Sequence, residues 1–424
     1  MILSMITPTL ACIIASTLPV IAVSVSNNVI DITTTGAIGD GTTLNTVKIQ
    51  SAIDQLAARG GGTLVIPKGV FLSGAIFLKP GVNLKLEEGA VLRGSTNAKD
   101  YPKSMTRIEG HFEEWLPALI NADKVDHLRI TGSGTLDGNG APYWSEFWAR
   151  LKADPATTNL NVERPRLALI QNSDDVQISG ITFKDSAFWN LHLYRCTNVV
   201  VEKVLFEVPA GLQCPSTDGA DVDSCQNVAI QGCTFRVDDD CIALKGSKGP
   251  SALEDKQSTP VEHIRISDCT FERGHGVVTL GSEATIVRDV VVENCKVVGQ
   301  NNLVRLKLRP DTIQDYEDIH YRDITLEGNG AIIQIEPWSQ YADPRNKPKE
   351  KSIVRNVTAS NIRGTYGSLG VIRGNPGQTE ISDITLENID VQLKSGKLMA
   401  GEVKNLKIEN ITINGKPFSS KIGE

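Results

Sequence analysis

The sequence predicts an all-β fold, a single-stranded right-handed parallel β-helix closed at its N-terminal end by one short helix. Three observations predict it. A pattern recurs as DVQISGITF, NVVVEKVLF, NVAIQGCTF, HIRISDCTF, DVVVENCKV, DIHYRDITL, DITLENIDV and NLKIENITI, with second residues Val176, Val199, Val228, Ile264, Val290, Ile319, Ile384 and Leu406. Successive gaps run from 22 residues (Ile384 to Leu406) upward, the longer ones holding loops and a weaker coil around Val357; a period in that range marks a solenoid. Within each unit apolar and polar residues alternate, as short strands demand. Seven residues after the anchor stands another large apolar side chain, Phe183, Phe206, Phe235 or Phe271, so stacked coils place an interior phenylalanine ladder.

An open solenoid end exposes strand edges and core, and needs a cap. The stretch NTVKIQSAIDQLAARGGG supplies it: Ile49, Ile53, Leu56 and Ala57 share a helical face, Asn45 or Thr46 suits the N-cap, and Gly60 suits the stop. Elsewhere helix is expected to be scarce, because 37 glycines, few aromatics and many Val, Ile, Thr and Asn favour strands and turns. No Pro/Ser/Gly linker divides the 424 residues, so 25–424 read as one solenoid domain.

Residues 2–26 carry no charge, the first basic side chain is Lys48, and Ala22, Val23 and Ser24 form an A-x-S-like cleavage site. Residues 1–24 are therefore expected to be a signal peptide and the protein secreted or periplasmic, with no other membrane association. Cys12 lacks a good lipobox. The other seven cysteines are an odd number with no metal-ligand spacing; Cys214 and Cys225 are candidates for a bridge, whereas Cys233, Cys269 and Cys295 recur at a core position and read as small buried side chains. A net charge of −7 and a pI near 5.5 argue against nucleic acid as a partner.

The chemistry concentrates in CPSTDGADVDSCQNVAIQGCTFRVDDDCIALKG, where Asp218, Asp221 and Asp223 are followed one coil later by Asp238, Asp239 and Asp240. Alone, DDD is more simply an Asp-rich turn or a calcium site. Its surroundings change that reading. RGHGVV puts His275 one coil further on, and VRLKLRP puts Arg305, Lys307 and Arg309 on the next with alternating side chains on one face. Asp218 precedes Asp239 by 21 residues, close to one repeat, so the carboxylates are expected to meet on adjacent coils. Carboxylates beside a basic stripe suit hydrolysis of an acidic sugar. Lys245 either offsets the carboxylates or is a solvated strand-end lysine; His192, between two leucines, reads as a wall residue; Trp338 either stacks on a sugar or packs locally.

The ordered motifs STDG, DDD, GHG and RLK resemble the signatures of glycoside hydrolase family 28, the polygalacturonases, and DITTTGAIGDGT, GTLDGNGAPYW and RPRLALIQNSDDVQISGITFKDSAFWNLHLYRC extend the resemblance over residues 31–415. The resemblance implies an inverting hydrolase that cuts α-linked galacturonate in pectin, with no metal or other cofactor and an acidic polysaccharide as partner. By matching position, Asp239 is the general acid, Asp218 and Asp240 activate water, His275 tunes the acid, and Arg305 and Lys307 grip substrate carboxylates. On this reading neighbouring charge raises the Asp239 pKa while Asp218 and Asp240 stay ionised. Ser216, Asp238 and Leu306 depart from the usual Asn, Gln or Gly, and Ile. The segments DGADVDSCQNV and RLKLRPDTIQDYEDI lean toward exo-acting members; a monomer is expected. A rhamnogalacturonan or xylogalacturonan hydrolase is the near alternative, with a calcium-dependent pectate lyase or a non-catalytic pectin-binding solenoid behind it.

Overall fold

In the computed structural model, residues 28–343, 345 and 348–418 are described; the expected signal segment and Cys12 lie outside them. The chain winds as a right-handed parallel β-helix whose coils stack strand on strand, the hand that twisted strands give to parallel crossovers. Among the described residues only the hairpin Ser104–Ile108/His111–Trp115 and the C-terminal pair around Ile413 and Lys416 are antiparallel.

Each central coil has three short strands. One face contains Ala168–Gln171, Leu191–Tyr194, Ala220–Asp223 and Ile242–Lys245, continued by residues 278–280 and 304–308. Its register sets Leu169, His192, Asp221, Ala243, Thr279, Arg305 and Gln334 in one column. The second face carries the repeat anchors: Val176, Val199, Val228, Ile264, Val290, Ile319, Val357, Ile384 and Leu406 are stacked in sequence. The expected weak coil at Val357 is thus present. The third face carries the phenylalanine ladder, with ring centroids 5.0, 4.9 and 5.1 Å apart from Phe183 through Phe271; each such contact adds about 0.5–1.5 kcal/mol beyond simple burial.

The residue before each anchor turns the corner in the left-handed region. Asp175, Asn198, Asn227, His263, Asp289, Asp318, Asn356, Asp383 and Asn405 have φ between 54° and 59°, where Asn and Asp are tolerated better than other non-glycine residues. Their side chains also link coils, as Asn356 Nδ2 does to Asp318 Oδ1 at 2.7 Å. This is why the repeat begins with D, N or H.

Helix α1, Thr46–Ala58, closes the N-terminal end with Ile49, Ala52, Ile53 and Leu56 buried. Asn45 stands at its N-cap position, but its side chain is spent on Ile38 and Thr43 backbone groups. A second helix, α2, Ala141–Ala153, starts with Pro142 in its first turn and buries Tyr143, Trp144 and Phe147; the repeat reading had no place for it. The seven cysteines among the described residues are free buried thiols, so Cys214 and Cys225 form no bridge. Cys225 sits instead beneath Cys196, whose backbone N–H points at its sulfur. Among the described residues no helix is long and apolar enough to cross a membrane.

Candidate active site

The expected site residues come together, in a register different from the one the spacing suggested. Ala220 pairs with Ile242, so Asp218, two residues before the one strand, is level with Asp240, two before the other. The matching interval is 22 residues rather than 21. Asp239, one position earlier, has His275 as its neighbour: the His275 backbone N–H donates to the Asp239 carbonyl at 2.8 Å, and Nδ1 meets Oδ1 at 3.1 Å. One oxygen from each of Asp218, Asp239 and Asp240 lies within 4.8 Å of the others.

Close approach explains the glycines flanking His275. A Cβ on Gly276 would fall 2.2 Å from Thr279 Oγ1 and 2.9 Å from Arg305 Cδ, and one on Gly274 would fall 2.5 Å from Cys241 Sγ. Thr279 then donates to Asp240 Oδ1 at 2.8 Å, a contact the sequence did not announce.

Arg305 Nη1 and Lys307 Nζ also bind Asp240, at 2.6 and 2.7 Å. The basic stripe therefore faces a carboxylate of the protein, with its remaining donors left for a ligand. Burial alone would raise the Asp240 pKa, but Lys307 and Arg305 hold it far below the usual carboxylate range. Because these donors already occupy both Asp240 oxygens, the protein itself supplies the positive charge that a divalent cation would bring to the cluster. Arg309 does not share the stripe. Lying beyond the strand end, it forks onto Asp311 at 2.7 and 2.8 Å.

The charge states correct the expectation for Asp239. Burial would push it up, but the hydrogen bond and charge of His275 outweigh that and hold its pKa below the ordinary value. The same pairing raises His275 to about 9. Asp218 moves the other way: burial and the Asp239 charge, opposed by Lys245, raise it to about 7. The pairing thus favours His275⁺–Asp239⁻, whereas burial and the Asp239 charge favour the protonated form of Asp218 below about pH 7.

Lys245 is buried. Its Nζ lies 3.5 Å from oxygens of Asp218, Asp221 and Glu283 and 4.6 Å from the Trp189 ring centroid. Burial would lower its pKa, but the three carboxylates hold it well above the ordinary value. Asp221 is fully buried too, and neither of its oxygens accepts a conventional hydrogen bond. His192 is a wall residue, as read: Nδ1 accepts from Arg166 at 2.8 Å, and burial lowers its pKa to about 4, leaving it neutral.

Asp218, Asp239, Asp240, Lys245, His275, Arg305 and Lys307 line a cleft of about 450 Å³ with Trp148 of α2, Trp189 and Trp338. Trp338 packs over both cations, its ring centroid 5.5 Å from Arg305 Cζ and 4.7 Å from Lys307 Nζ, and lines the cleft. The hairpin tip adds Glu109 to the cleft lining. A Cβ on Gly110 would stand 3.0 Å from both Glu283 Cβ and the Gly246 carbonyl. Arg107 pins this hairpin through Asp223 and Ser247, both at 3.0 Å. Arg309 Nη groups reach the carbonyls of Gln340 and Tyr341 at 3.5 and 3.4 Å, holding the adjoining loop.

Comparison with known proteins places this geometry. The chain is 31% identical to the Exo-poly-alpha-D-galacturonosidase of Dickeya chrysanthemi over 92% of its own length and 72% of that protein. It is 27% identical to a Probable polygalacturonase of Vitis vinifera, over 84% and 73% of the two chains. In fold it is similar to the hyperthermoactive exopolygalacturonase of Thermotoga maritima, with a TM-score of 0.68, 24% identity and coverage of 90% and 92%. The description "Glycosyl hydrolases family 28" matches residues 58–419, most of the solenoid and all of the cleft, and the chain is a glycoside hydrolase belonging to that family.

Proposed function

We propose that the protein is a secreted hydrolase that cuts α-linked galacturonate from pectin with inversion, working from a chain end. The observation that carries this reading is three carboxylates within 4.8 Å beside two cations with unspent donors, in one cleft. Names of similar proteins support the substrate class, and the uncharged stretch 2–26 supports export.

Asp239 protonates the leaving oxygen. Its proton comes from His275: a sugar that expels water from the cleft disfavours the ion pair, and transfer from Nδ1 to Oδ1 leaves two neutral groups. Asp218 and Asp240 hold the attacking water, and Asp218, with a pKa of about 7, is matched to accept its proton near neutrality. Arg305 and Lys307 receive the galacturonate carboxylate through donors not used on Asp240.

Separation alone would favour retention, since inverting pairs usually stand about 6.5–9.5 Å apart and retaining pairs about 5 Å. Charge decides otherwise. Asp240 has both oxygens bound by donors, which makes it a poor nucleophile toward the anomeric carbon, and the ionised Asp218 is engaged as the base of the attacking water. Proton NMR of a galacturonan digest, recorded before mutarotation, tests this: the β-anomer appears first, as a product of one size. An α-anomer appearing first, or a ladder of sizes, overturns inversion or end-wise action respectively.

The same scheme fixes the pH profile. The value of kcat/KM is expected to rise through about pH 7 as Asp218 ionises and to fall through about pH 9 as His275 loses its proton. The limbs belong to the coupled cluster. In His275→Asn the alkaline limb moves to lower pH; an unmoved limb removes His275 from proton supply.

A further inference from the structure

A second carboxyl stands behind the base. Asp221 lies on the strand Ala220–Asp223, whose Ala220 and Val222 belong to the core, so its side chain leaves the strand on the other side together with Asp223. It is fully buried all the same, whereas Asp218 lines the cleft. The two carboxyls lie within hydrogen-bond reach of each other, and Lys245 Nζ stands 3.5 Å from an oxygen of each. Neither Asp221 oxygen accepts a hydrogen bond.

The surroundings lack the positive charge to hold Asp221 as an anion. Asp223, two residues on, takes Arg107 Nε at 3.0 Å; burial opposes its ionisation, but Arg107 holds it well below the usual carboxylate range. Arg166 spends its Nη groups on the Arg107 carbonyl, His192 Nδ1 and Thr106 Oγ1 at 2.6, 2.8 and 2.8 Å. His192, in register with Asp221 on one neighbouring coil, is neutral, and Ala243, in register on the other, is apolar. That leaves Lys245, which also serves Glu283. Burial would raise Glu283, but Lys245, Lys248 and a 2.7 Å bond from Ser282 Oγ hold it well below its ordinary value, as an anion. One ammonium already facing that anion does not neutralise two touching carboxylates as well, so one of the two carries a proton. Asp218 has Lys307 as a further cation and the open cleft in front of it. Asp221 has neither, and burial and the Asp218 charge, against Lys245, push it well above the ordinary range.

We infer that Asp221 is a positioning residue for the attacking water: it keeps its own proton and donates it in a hydrogen bond to Asp218, fixing the orientation of that carboxylate and holding it ionised as the base. A donor to the charged form favours that form, and the same bond satisfies the one buried carboxyl that no other group serves. No proton is transferred between the two. The inference rests on the proposed hydrolysis and adds to it the group that sets the base.

Two substitutions and one spectrum test it. In Asp221→Leu, which keeps the bulk and loses the donor, the acid limb of kcat/KM is expected to move from about pH 7 to about pH 8, since a hydrogen bond to a carboxylate changes its acidity about tenfold. Asp221→Asn, whose Nδ2–H replaces the O–H, is expected to return the limb to about pH 7. The infrared difference spectrum of the parent enzyme minus Asp221→Asn, taken one pH unit above that limb, is expected to contain a protonated-carboxyl C=O band. If Asp221 is instead ionised, the band is absent and both substitutions, by removing a negative charge beside Asp218, move the limb to lower pH. Either result, or a limb unmoved in Asp221→Leu, overturns the inference; where Asp221→Leu does not fold, the spectrum decides. A parent enzyme that shows the band but cleaves no galacturonan overturns the hydrolase reading and leaves the Asp221–Asp218 bond standing.

Discussion

Asp239→Asn is expected to lower kcat by about 10³-fold while leaving KM within a few-fold, because an amide keeps the size of the carboxyl and an acceptor for His275 Nδ1–H but cannot donate an acidic proton to the leaving oxygen. Folding is expected to be intact, since the contacts to Asp239 are one His275 side-chain bond and local backbone groups. A second readout separates this from a merely structural effect. The Asp239 charge is, after burial, the largest influence raising Asp218, so its removal moves the Asp218 titration to lower pH. Residual turnover in the variant, followed against pH, is expected to show its acid limb below about 7. A variant within tenfold of the parent enzyme takes the acid role away from Asp239.

Lys245→Met is expected to cost about 3–5 kcal/mol of stability at pH 8, the usual penalty for breaking a buried ion pair by removing one partner. Asp218, Asp221 and Glu283 converge on its ammonium from three directions, and methionine fills much of its volume without its charge. The sign with pH follows from those partners. Burial raises Asp218 to about 7 and Asp221 well above the ordinary value, so both are neutralised as pH falls and the orphaned charge shrinks. The Tm deficit of the variant, measured by calorimetry, is therefore largest above pH 7 and smaller near pH 5. A deficit independent of pH would mean that the loss is one of packing rather than charge.

The repeat made most of the fold legible, because a solenoid repeats its local rules: anchors at Val176 through Leu406 and the phenylalanines of four coils define strands, stacking and core together. Helix α2 and the hairpin that adds to the cleft lining are inserted between coils and obey no period, although Pro142 and the Tyr143, Trp144, Phe147 spacing carried a helical signal. In the site, the residue types and their convergence were readable, but the register was not. Whether Asp218 stacks on Asp239 or Asp240 turns on one residue, and one residue reverses which carboxylate meets His275 and which meets the cations. The charge states followed from that, and so did the reversed direction of the Asp239 shift. Lys245 was ambiguous because burial of a lysine depends on partners, and Glu283 lies in GSEAT with no pattern to mark it. Thr279 becomes visible only once the column through Ala243 and Arg305 is known.

The stacking of coils in fixed register governs how such a site changes over evolutionary time. Asp218, Asp240, Gly276 and the Arg305 strand occupy successive rungs, and the rung interval is set by the peptide hydrogen bond at about 4.8 Å, not by side-chain packing. Distances along the solenoid axis therefore come in fixed steps. A substitution can exchange the chemical group on a rung without shifting its neighbours, whereas a deletion within a strand moves every later group to the opposite face. Such a surface works as a ruled template: new specificities arise by rewriting residues on existing lines or by inserting loops between them, while the spacing of the reacting groups stays constant.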